Sequence, residues 1–300
     1  MDSIPEVLQT ELYRVARAMK EHGLPLIIGG GYGLLLWQRR VREKDLSTLR
    51  PVPPARSTDD LDIFFSVEVM SDPANAETIR SILDDLGYEV VEGRENYQFR
   101  RPVQHRGQER SVKIDLLAPV PRTAEEAENI RVKERRLRPK GFSGLHAHPT
   151  PEALTIKENL LRVELVPQTP GAGEQTGTEQ REEVPVFVPH LFSFAMLKLF
   201  AYRDRRKDPN VDYGRHHAYD LYRSVAMMTE EEWEAARQIR AAYGEEDLVE
   251  DACRIAKEHF GSADEQGCLK ILEYLREARS ETGLEEIEAF SRDLRELFGR

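Results

Sequence analysis

The 300-residue chain has 43 basic and 54 acidic residues, a formal net charge of −11, and it is 40% hydrophobic and 8% aromatic. This composition is typical of a folded globular protein and excludes a disordered or low-complexity chain. No apolar run approaches the roughly 18 residues needed to cross a membrane, and the charged, amphipathic N-terminal segment is unlike a signal peptide. We therefore expect a cytoplasmic protein without a membrane partner. Only Cys253 and Cys268 are present, which predicts neither a disulfide framework nor a zinc site.

The first predicted elements are a packing helix and a strand that runs into glycines. Residues 4–21 place Val7, Leu12 and Met19 on one stripe at helical spacing. An apolar strand then begins at Pro25, and Gly29, Gly30, Gly31 and Gly33 lead into an apolar helix that ends near Arg40. Glycines allow backbone N–H groups to approach an anion, and a helix N-terminus adds partial positive charge. This layout predicts a phosphate-binding turn.

The central stretch is 55–65, where a polar run becomes a short apolar segment. A strand over 61–67 would place Leu61 and Ile63 on one face and Asp60 and Asp62 on the other. A second strand, over 111–117, would add Asp115 to the carboxylate face. Neighbouring carboxylates repel unless a cation lies between them, and Mg²⁺ binds one or two carboxylates together with water and phosphate oxygens. We therefore predict a Mg²⁺ site at Asp60, Asp62 and Asp115.

The middle of the chain predicts further strands and helices of a mixed sheet. We expect a helix over 75–86, strands over 88–91 and 97–101, and a helix over 123–138 with a Thr123 cap and a basic end. The cations of 131–140 could track phosphates or serve only as a solvated face. The His146-Ala147-His148 run is predicted to be a surface loop, and 166–183 a mobile loop between two strands.

The last third is predicted to be helical. Two helices, 191–206 and 215–228, carry Lys198 in an almost wholly apolar setting and Asp220 in the second helix. Lys198 could point into a cleft and bind a β- or γ-phosphate, with Asp220 fixing the ammonium or the substrate. The alternative is an ion pair between the two helices. Residues 229–300 contain 20 acidic and 10 basic residues, so the negative charge is concentrated there.

The glycine turn, the Asp-x-Asp strand and the later Asp115 occur in an order that resembles the nucleotidyltransferase superfamily of the polymerase-β type. The run Arg56-Ser57-Thr58-Asp59-Asp60-Leu61-Asp62, with Lys198 and Asp220, resembles its AbiEii/MenT toxin branch. The stretch between the glycines and the carboxylates is longer here than in that pattern. The resemblance implies an α+β fold, with a mixed-sheet nucleotidyltransferase domain at 1–188 and a helical domain at 189–300.

The resemblance also implies an activity and a set of partners. Asp60, Asp62 and Asp115 would be catalytic and hold Mg²⁺, together with Lys198 and Asp220 as catalytic residues. A nucleoside triphosphate would be bound by Gly29, Gly30, Gly31, Arg56, Thr58 and Lys198. The implied function is a toxin of a toxin-antitoxin or phage-defence system that adds nucleotides to the tRNA acceptor end, with a cognate antitoxin protein as partner. The alternatives are transfer to a small molecule or a protein hydroxyl, and a catalytically silent module that binds a partner.

Overall fold

The computed structural model describes residues 6–94, 96–105, 107–167, 182–280 and 282–299. Most of the predicted mobile loop at 166–183 lies outside the described residues. None of the helices in these ranges combines the length and the apolar character that a membrane crossing requires.

A mixed sheet forms the centre of the first part of the chain. The described strands are β1 (Ile27–Ile28), β2 (Asp60–Phe64), β3 (Glu89–Val90), β4 (Gln98–His105), β5 (Gln108–Ala118), β6 (Ile130–Lys133), β7 (Arg136–Pro139), β8 (His148–Pro149), β9 (Leu161–Leu165) and β10 (Val184–Val188). The strand order in the mixed sheet is β3-β4-β5-β2-β1-β10-β9, with β8 added to β5, and β6 and β7 form a separate pair. The pairs β1–β10, β2–β5 and β5–β8 are parallel, whereas β1–β2, β3–β4, β4–β5 and β9–β10 are antiparallel. The predicted mixed sheet of an α+β protein is therefore confirmed.

Helices lie between the strands along this part of the chain. They are α1 (Glu6–Glu21), α3 (Val67–Ser71), α4 (Pro73–Asp85) and α5 (Ala124–Glu128), and α2 (Gly30–Glu43) begins directly after β1. The stripe of α1 that contains Leu8, Leu12 and Val15 is buried and packs on β2, β5 and β10. Leu61, Ile63, Ile114 and Leu116 supply the apolar face of β2 and β5. Because side chains alternate along a strand, the opposite face of the same two strands presents the carboxylates.

A buried polar network anchors α1 to the sheet. The Glu11 carboxylate accepts a hydrogen bond from the Tyr88 hydroxyl at 2.9 Å and bonds from Arg101 Nη1 at 2.6 and 2.7 Å. Arg14 Nη1 adds a third donor at 3.0 Å. Burial next to this carboxylate raises the pKa of the Tyr88 phenol far above its ordinary value, so the phenol remains a donor. Removing Glu11 would leave the half-buried guanidinium of Arg101 without its counter-ion and the Tyr88 hydroxyl without its acceptor.

The prediction of a single helix over 123–138 is wrong after residue 128. Helix α5 ends at Glu128, and β6 and β7 follow as a separate two-stranded hairpin. Its strands alternate apolar and basic residues, which suits a half-buried strand, and Pro139 has no N–H for a helix interior. The turn takes Glu134 into the left-handed region, with φ of 53°. The segment therefore does have the alternation of apolar and polar residues that is typical of strands, and we missed it because we read the basic residues as the end of a helix.

The predicted surface loop at His146-Ala147-His148 is also wrong. His146 and Ala147 are buried, and Ala147 bridges Leu137 of β7. His148 begins β8, which pairs with the end of β5 through the partners Leu117 and His148. This segment is part of the sheet because its backbone continues the row of hydrogen bonds beyond the point where β4 pairs with β5.

The chain forms two compact units. The first comprises Met1–Gly33, Arg56–Pro151 and Leu160–Val188, and the second comprises Leu34–Ala55, Glu152–Asn159 and Pro189–Arg300. We predicted two consecutive domains, 1–188 and 189–300. The units instead interleave, because two inserted segments belong to the helical unit. In that unit, Trp37 Nε1 donates to the carbonyl of Pro189 at 2.8 Å.

The second unit is helical, as predicted. Its described helices, besides the part of α2 from Leu34 onward, are α6 (Leu191–Arg205), α7 (Arg215–Ala226), α8 (Glu230–Ala242), α9 (Asp247–Phe260), α10 (Gln266–Glu277) and α11 (Leu284–Phe298). Its core includes stacked rings of Phe192 and Phe298, with centroids 5.2 Å apart. Arg50 forms a bidentate ion pair with Asp293, in which both N–O distances are 2.8 Å.

Candidate active site

The carboxylates of β2 and β5 lie side by side on one face of the first unit's sheet. Asp62 is the register partner of Asp115 across the parallel pair, and Asp60 is the partner of Lys113. Neighbouring strands are about 4.8 Å apart, and paired residues point to the same face. The predicted strand was slightly misplaced, since β2 spans Asp60–Phe64 and α3 begins at Val67. The predicted common face of Asp60, Asp62 and Asp115 is present.

The environment of Asp115 is unfavourable for a bare carboxylate. Burial, together with the negative charges of Asp62 and Asp60, raises the pKa of this carboxyl group to about 6, although the hydrogen bond from Gln98 and the charge of Lys113 act in the opposite direction. Gln98 Nε2 donates to Asp115 Oδ1 at 2.6 Å. This pattern, in which burial and like charges act together on a carboxyl group, is typical of sites that bind a cation or exchange a proton.

Asp60 has an oxygen available for a ligand. Its Oδ1 is buried and accepts no hydrogen bond within the described part of the chain, while Lys113 Nζ lies 3.8 Å away. No group of three or more His, Cys, Asp or Glu side chains in the described ranges is arranged as a ready-made metal site. Mg²⁺ commonly takes only one or two protein carboxylates and completes its octahedron with water and substrate phosphates. The hard oxygen donors of Asp60, Asp62 and Asp115 fit an ion that binds in this way.

The glycine turn lies against the carboxylate strand. Gly29 N donates to the Asp62 carbonyl at 2.8 Å. Gly30 has φ of +59°, and a Cβ there would lie 1.6 Å from Asp62 Oδ2, so only glycine fits. A Cβ on Gly31 would lie 2.9 Å from Arg56 Nη2 and 3.2 Å from the Thr58 side chain. The structure thus brings the three predicted glycines together with Arg56, Thr58 and Asp62.

Side chains of the first unit lie close to the glycine turn. We predicted a phosphate-binding turn, and phosphate binding there stays a prediction. In the structure, the Asp62 carboxylate and the side chains of Arg56 and Thr58 lie close to the turn. Thr58 is buried, and its hydroxyl donates to the Asp60 carbonyl at 3.5 Å. Because the turn residues have no side chains, the Asp62 carboxylate can approach the turn closely.

Four further side chains share the carboxylate face and were not selected from the sequence. The register places Arg100 beside Lys113 and Gln98 beside Asp115 in consecutive rows. His148 is paired with Leu117, two residues beyond Asp115 on β5, so it occupies the next row of the same face. Its ring lies 5.5 Å from that of Tyr97. Alternation along the predicted strand 111–117 does place Lys113 on the face of Asp115, although it was not chosen as a site residue. The same rule could have indicated Gln98 and Arg100, but no local signal indicated His148.

Lys198 and Asp220 belong to the second unit and contact each other. Lys198 Nζ lies 2.9 Å from Asp220 Oδ2, and Arg223 Nη1 lies 3.3 Å from Asp220 Oδ1. Arg223 Nη2 in turn donates to Gln38 Oε1 at 2.9 Å. All of these side chains are buried. The geometry matches the ion-pair alternative for the two residues, and their role in phosphate binding stays a prediction.

No family model matches the chain, and no curated protein matches it. Solved structures with a partly similar fold include a solution structure of the antibiotic-resistance factor ANT(2″)-Ia, with 17% identity, a TM-score of 0.37, and coverage of 79% of this chain and 94% of that one. A crystal structure of ANT(2″)-Ia in complex with adenylyl-2″-tobramycin has 15% identity, a TM-score of 0.36, and coverage of 79% and 99%. Likeness at this level carries no functional argument, so the function is argued from the site.

Proposed function

We propose that this protein is a Mg²⁺-dependent nucleotidyltransferase, which transfers a nucleotide from a nucleoside triphosphate to an acceptor hydroxyl and releases pyrophosphate. The observation that carries the proposal is the register of Asp62 with Asp115, beside Asp60 and in contact with the glycine turn. This arrangement concentrates hard oxygen ligands on one face of two parallel strands. Electrostatic stabilisation by a cation between carboxylates and phosphates is the main requirement of phosphoryl-type transfer.

Each residue has a defined task in this reaction. Asp60 and Asp62 would hold Mg²⁺, which neutralises charge on the phosphates and stabilises the attacking and leaving oxygens. Asp115 would accept the proton of the acceptor hydroxyl, directly or through water. The hydroxyl oxygen forms a bond to the α-phosphorus, and the bond from this phosphorus to the bridging oxygen breaks, so its electron pair leaves with pyrophosphate. Arg56, Lys113 and Arg100 supply positive charge on the same side of the first unit.

The acceptor is the finer part of the proposal. The AbiEii/MenT resemblance implies the acceptor end of tRNA and a cognate antitoxin, and both remain predictions that rest on the resemblance alone. The alternative acceptor is a small-molecule hydroxyl, and the ANT(2″)-Ia complex contains a small molecule, tobramycin, in adenylylated form. A protein hydroxyl is the third candidate. The Asp60, Asp62 and Asp115 geometry serves any of these, because it acts on the triphosphate rather than on the acceptor.

The test is a transfer assay with purified protein, Mg²⁺ and each of the four nucleoside triphosphates labelled at the α-phosphate. Total RNA, tobramycin and the protein itself serve as acceptors in separate reactions. We expect pyrophosphate release and label transfer in at least one combination, with both lost on removal of the metal by a chelator.

The matched variants are Asp62→Asn and Asp59→Asn, which remove the same charge. Asp59 is exposed and lies outside β2, so its variant should retain activity. The proposal is wrong if pyrophosphate release is the same in Asp62→Asn as in the natural protein. Calorimetry addresses the silent-module alternative, because such a module should bind no triphosphate in a Mg²⁺-dependent manner.

A further inference from the structure

The β6–β7 hairpin presents cations on one of its faces. Arg131 pairs with Arg138 and Lys133 pairs with Arg136 across the two strands. Paired residues share a face, and residues two apart on one strand share it as well, so all four cations project from the same side. We call this side the basic hairpin face. Residues 130–140 contain six cations and a single carboxylate, in a chain whose net charge is −11.

The opposite face of the hairpin explains how it is held in place. Ile130 and Leu137 are buried, and β7 packs on α3 and α4. At the base of the hairpin, Arg138 Nη1 donates to the carbonyls of Pro139 at 3.0 Å and Phe142 at 3.1 Å. The hairpin is therefore anchored through its apolar side and, at its base, through Arg138, whereas no such contact involves Arg131 or Lys133.

The cation pairs themselves oppose hairpin formation. Like charges directly opposite each other on an antiparallel pair are destabilising. Arg131, Lys133 and the turn residue Arg135 are exposed, and the structure gives them no hydrogen bond or ion pair within the described residues. The adjacent helix α5 is acidic, but its Glu126 is held by the Thr123 capping box. No described carboxylate thus forms an ion pair with Arg131, Lys133 or Arg135.

We propose that the basic hairpin face is a docking surface for the phosphate backbone of single-stranded RNA. Side chains two apart on a strand recur roughly every 6.6 Å, a spacing comparable with that of successive phosphates on one strand. A row of exposed cations with no sequence-reading aromatic residue among them suits backbone contacts rather than base recognition. The surface is distinct from the carboxylate face, and its binding does not depend on the transfer reaction.

The competing explanation is protection of an edge. In the described sheet, β6 pairs only with β7, so its other edge has no strand beside it. Exposed Lys and Arg residues discourage such an edge from pairing with a second chain. This explanation predicts that loss of the charges causes self-association and leaves RNA binding unchanged. The two explanations can therefore be separated by measuring both properties on the same variants.

The test uses the full chain without triphosphate or metal. Binding of a short fluorescein-labelled oligouridine is followed by fluorescence anisotropy over a range of salt concentrations. The triple variant Arg131→Gln, Lys133→Gln, Arg135→Gln removes three backbone contacts, and each contact contributes about 0.7 to the logarithmic salt slope. We expect the slope to fall by about two and the affinity at about 0.1 M salt to fall about hundredfold.

The matched control is Arg17→Gln, Lys20→Gln, Arg162→Gln, which removes the same charge from exposed cations of the first unit. A second variant, Arg131→Glu, places a carboxylate opposite Arg138, so the hairpin should be as stable as before or more stable. RNA binding should nevertheless be lost. This variant keeps the test valid if the triple variant does not fold.

Several results would overturn the proposal. They are an unchanged affinity and slope in the triple variant, an equal loss in the matched control, or self-association of the triple variant with intact RNA binding. Competition by tripolyphosphate as effective as RNA at equal phosphate concentration would indicate a simple anion site instead. Binding to phosphatidylserine vesicles but not to RNA would identify a membrane surface. Failure of the transfer assay would leave the docking surface untouched, because no step of the binding test involves transfer.

Discussion

The Asp115→Asn variant should be more stable than the natural protein near neutral pH in the absence of Mg²⁺. The substitution removes a charge and keeps the shape of the side chain. The amide oxygen of the new side chain could still accept the hydrogen bond from Gln98, which spans 2.6 Å in the natural protein. What disappears is a negative charge that is largely buried and lies beside Asp62. We therefore expect a gain in stability together with a loss of transfer.

The magnitude follows from the pKa of Asp115. Burial and the neighbouring carboxylates raise the pKa from the ordinary 3.8 to about 6. The difference corresponds to a cost of about 3 kcal/mol for holding the charge in the folded state above that pH. Because the folded-state pKa is the higher one, the folded protein binds the proton more tightly. The stability of the natural protein therefore falls as pH rises between about 4 and 6, through this group.

The assay is urea unfolding of both proteins in chelator-treated buffer at several pH values. Other groups titrate in both proteins, so the difference in the free energy of unfolding isolates Asp115 and its coupling to Asp60 and Asp62. The difference should be close to zero below about pH 4 and should reach about 2 to 3 kcal/mol above about pH 7. The exposed Asp59→Asn variant, with the same change in charge, should show no such rise.

Two outcomes would refute this reasoning. An Asp115→Asn variant that is no more stable than the natural protein above pH 7 would mean that Asp115 is not a crowded, buried carboxylate. The second outcome concerns the metal. Mg²⁺ should stabilise the natural protein more than the variant, because a cation relieves a repulsion that the variant no longer has. Equal stabilisation would mean that the Asp115 carboxylate does not lie beside the bound cation.

Three other substitutions test separate parts of the molecule. Asp60→Asn should abolish transfer while the thermal midpoint in Mg²⁺-free buffer changes little, and transfer at the natural rate would exclude Asp60 as a metal ligand. Gly30→Ala should lower the free energy of unfolding by more than the cost of a left-handed backbone at a residue with a Cβ, which is about 1 to 2 kcal/mol. The additional loss is expected because the new Cβ would displace the Asp62 carboxylate. Gly93→Ala, also left-handed but with open space around it, is the control in urea unfolding. Asp220→Asn should cost about 3 to 5 kcal/mol in the same assay, since it removes the negative charge that faces the buried cations of Lys198 and Arg223, and a cost below about 1 kcal/mol would contradict that.

The carboxylate face was predictable because strand alternation is a local property. Asp60 and Asp62 are separated by one apolar residue, and so a strand must put them on one side whatever lies elsewhere in the chain. The same rule applied to Asp115. Its pairing with Asp62 was not predictable in the same way, because register between distant strands depends on the packing of the entire sheet. The location of His148 on this face is a stronger example, since it follows from a two-residue strand with no sequence pattern of its own.

The basic hairpin shows why a charge pattern can mislead a prediction of secondary structure. Acidic residues after Thr123 and cations toward Lys140 match the dipole of one long helix, and α5 does use that cap. However, the apolar residues Ile130, Val132 and Leu137 alternate with cations on each strand, which is the period of a strand. The turn between them uses Glu134 in the left-handed region instead of the Asn-Gly or Asp-Gly pair that would announce a hairpin. The turn residues therefore gave no sign of a hairpin. The hairpin is stabilised by tertiary packing instead, because Leu137 is fully buried and β7 packs on α3 and α4. The consequence for function is direct, because a helix would spread the cations around its circumference, whereas the hairpin places four of them on one face.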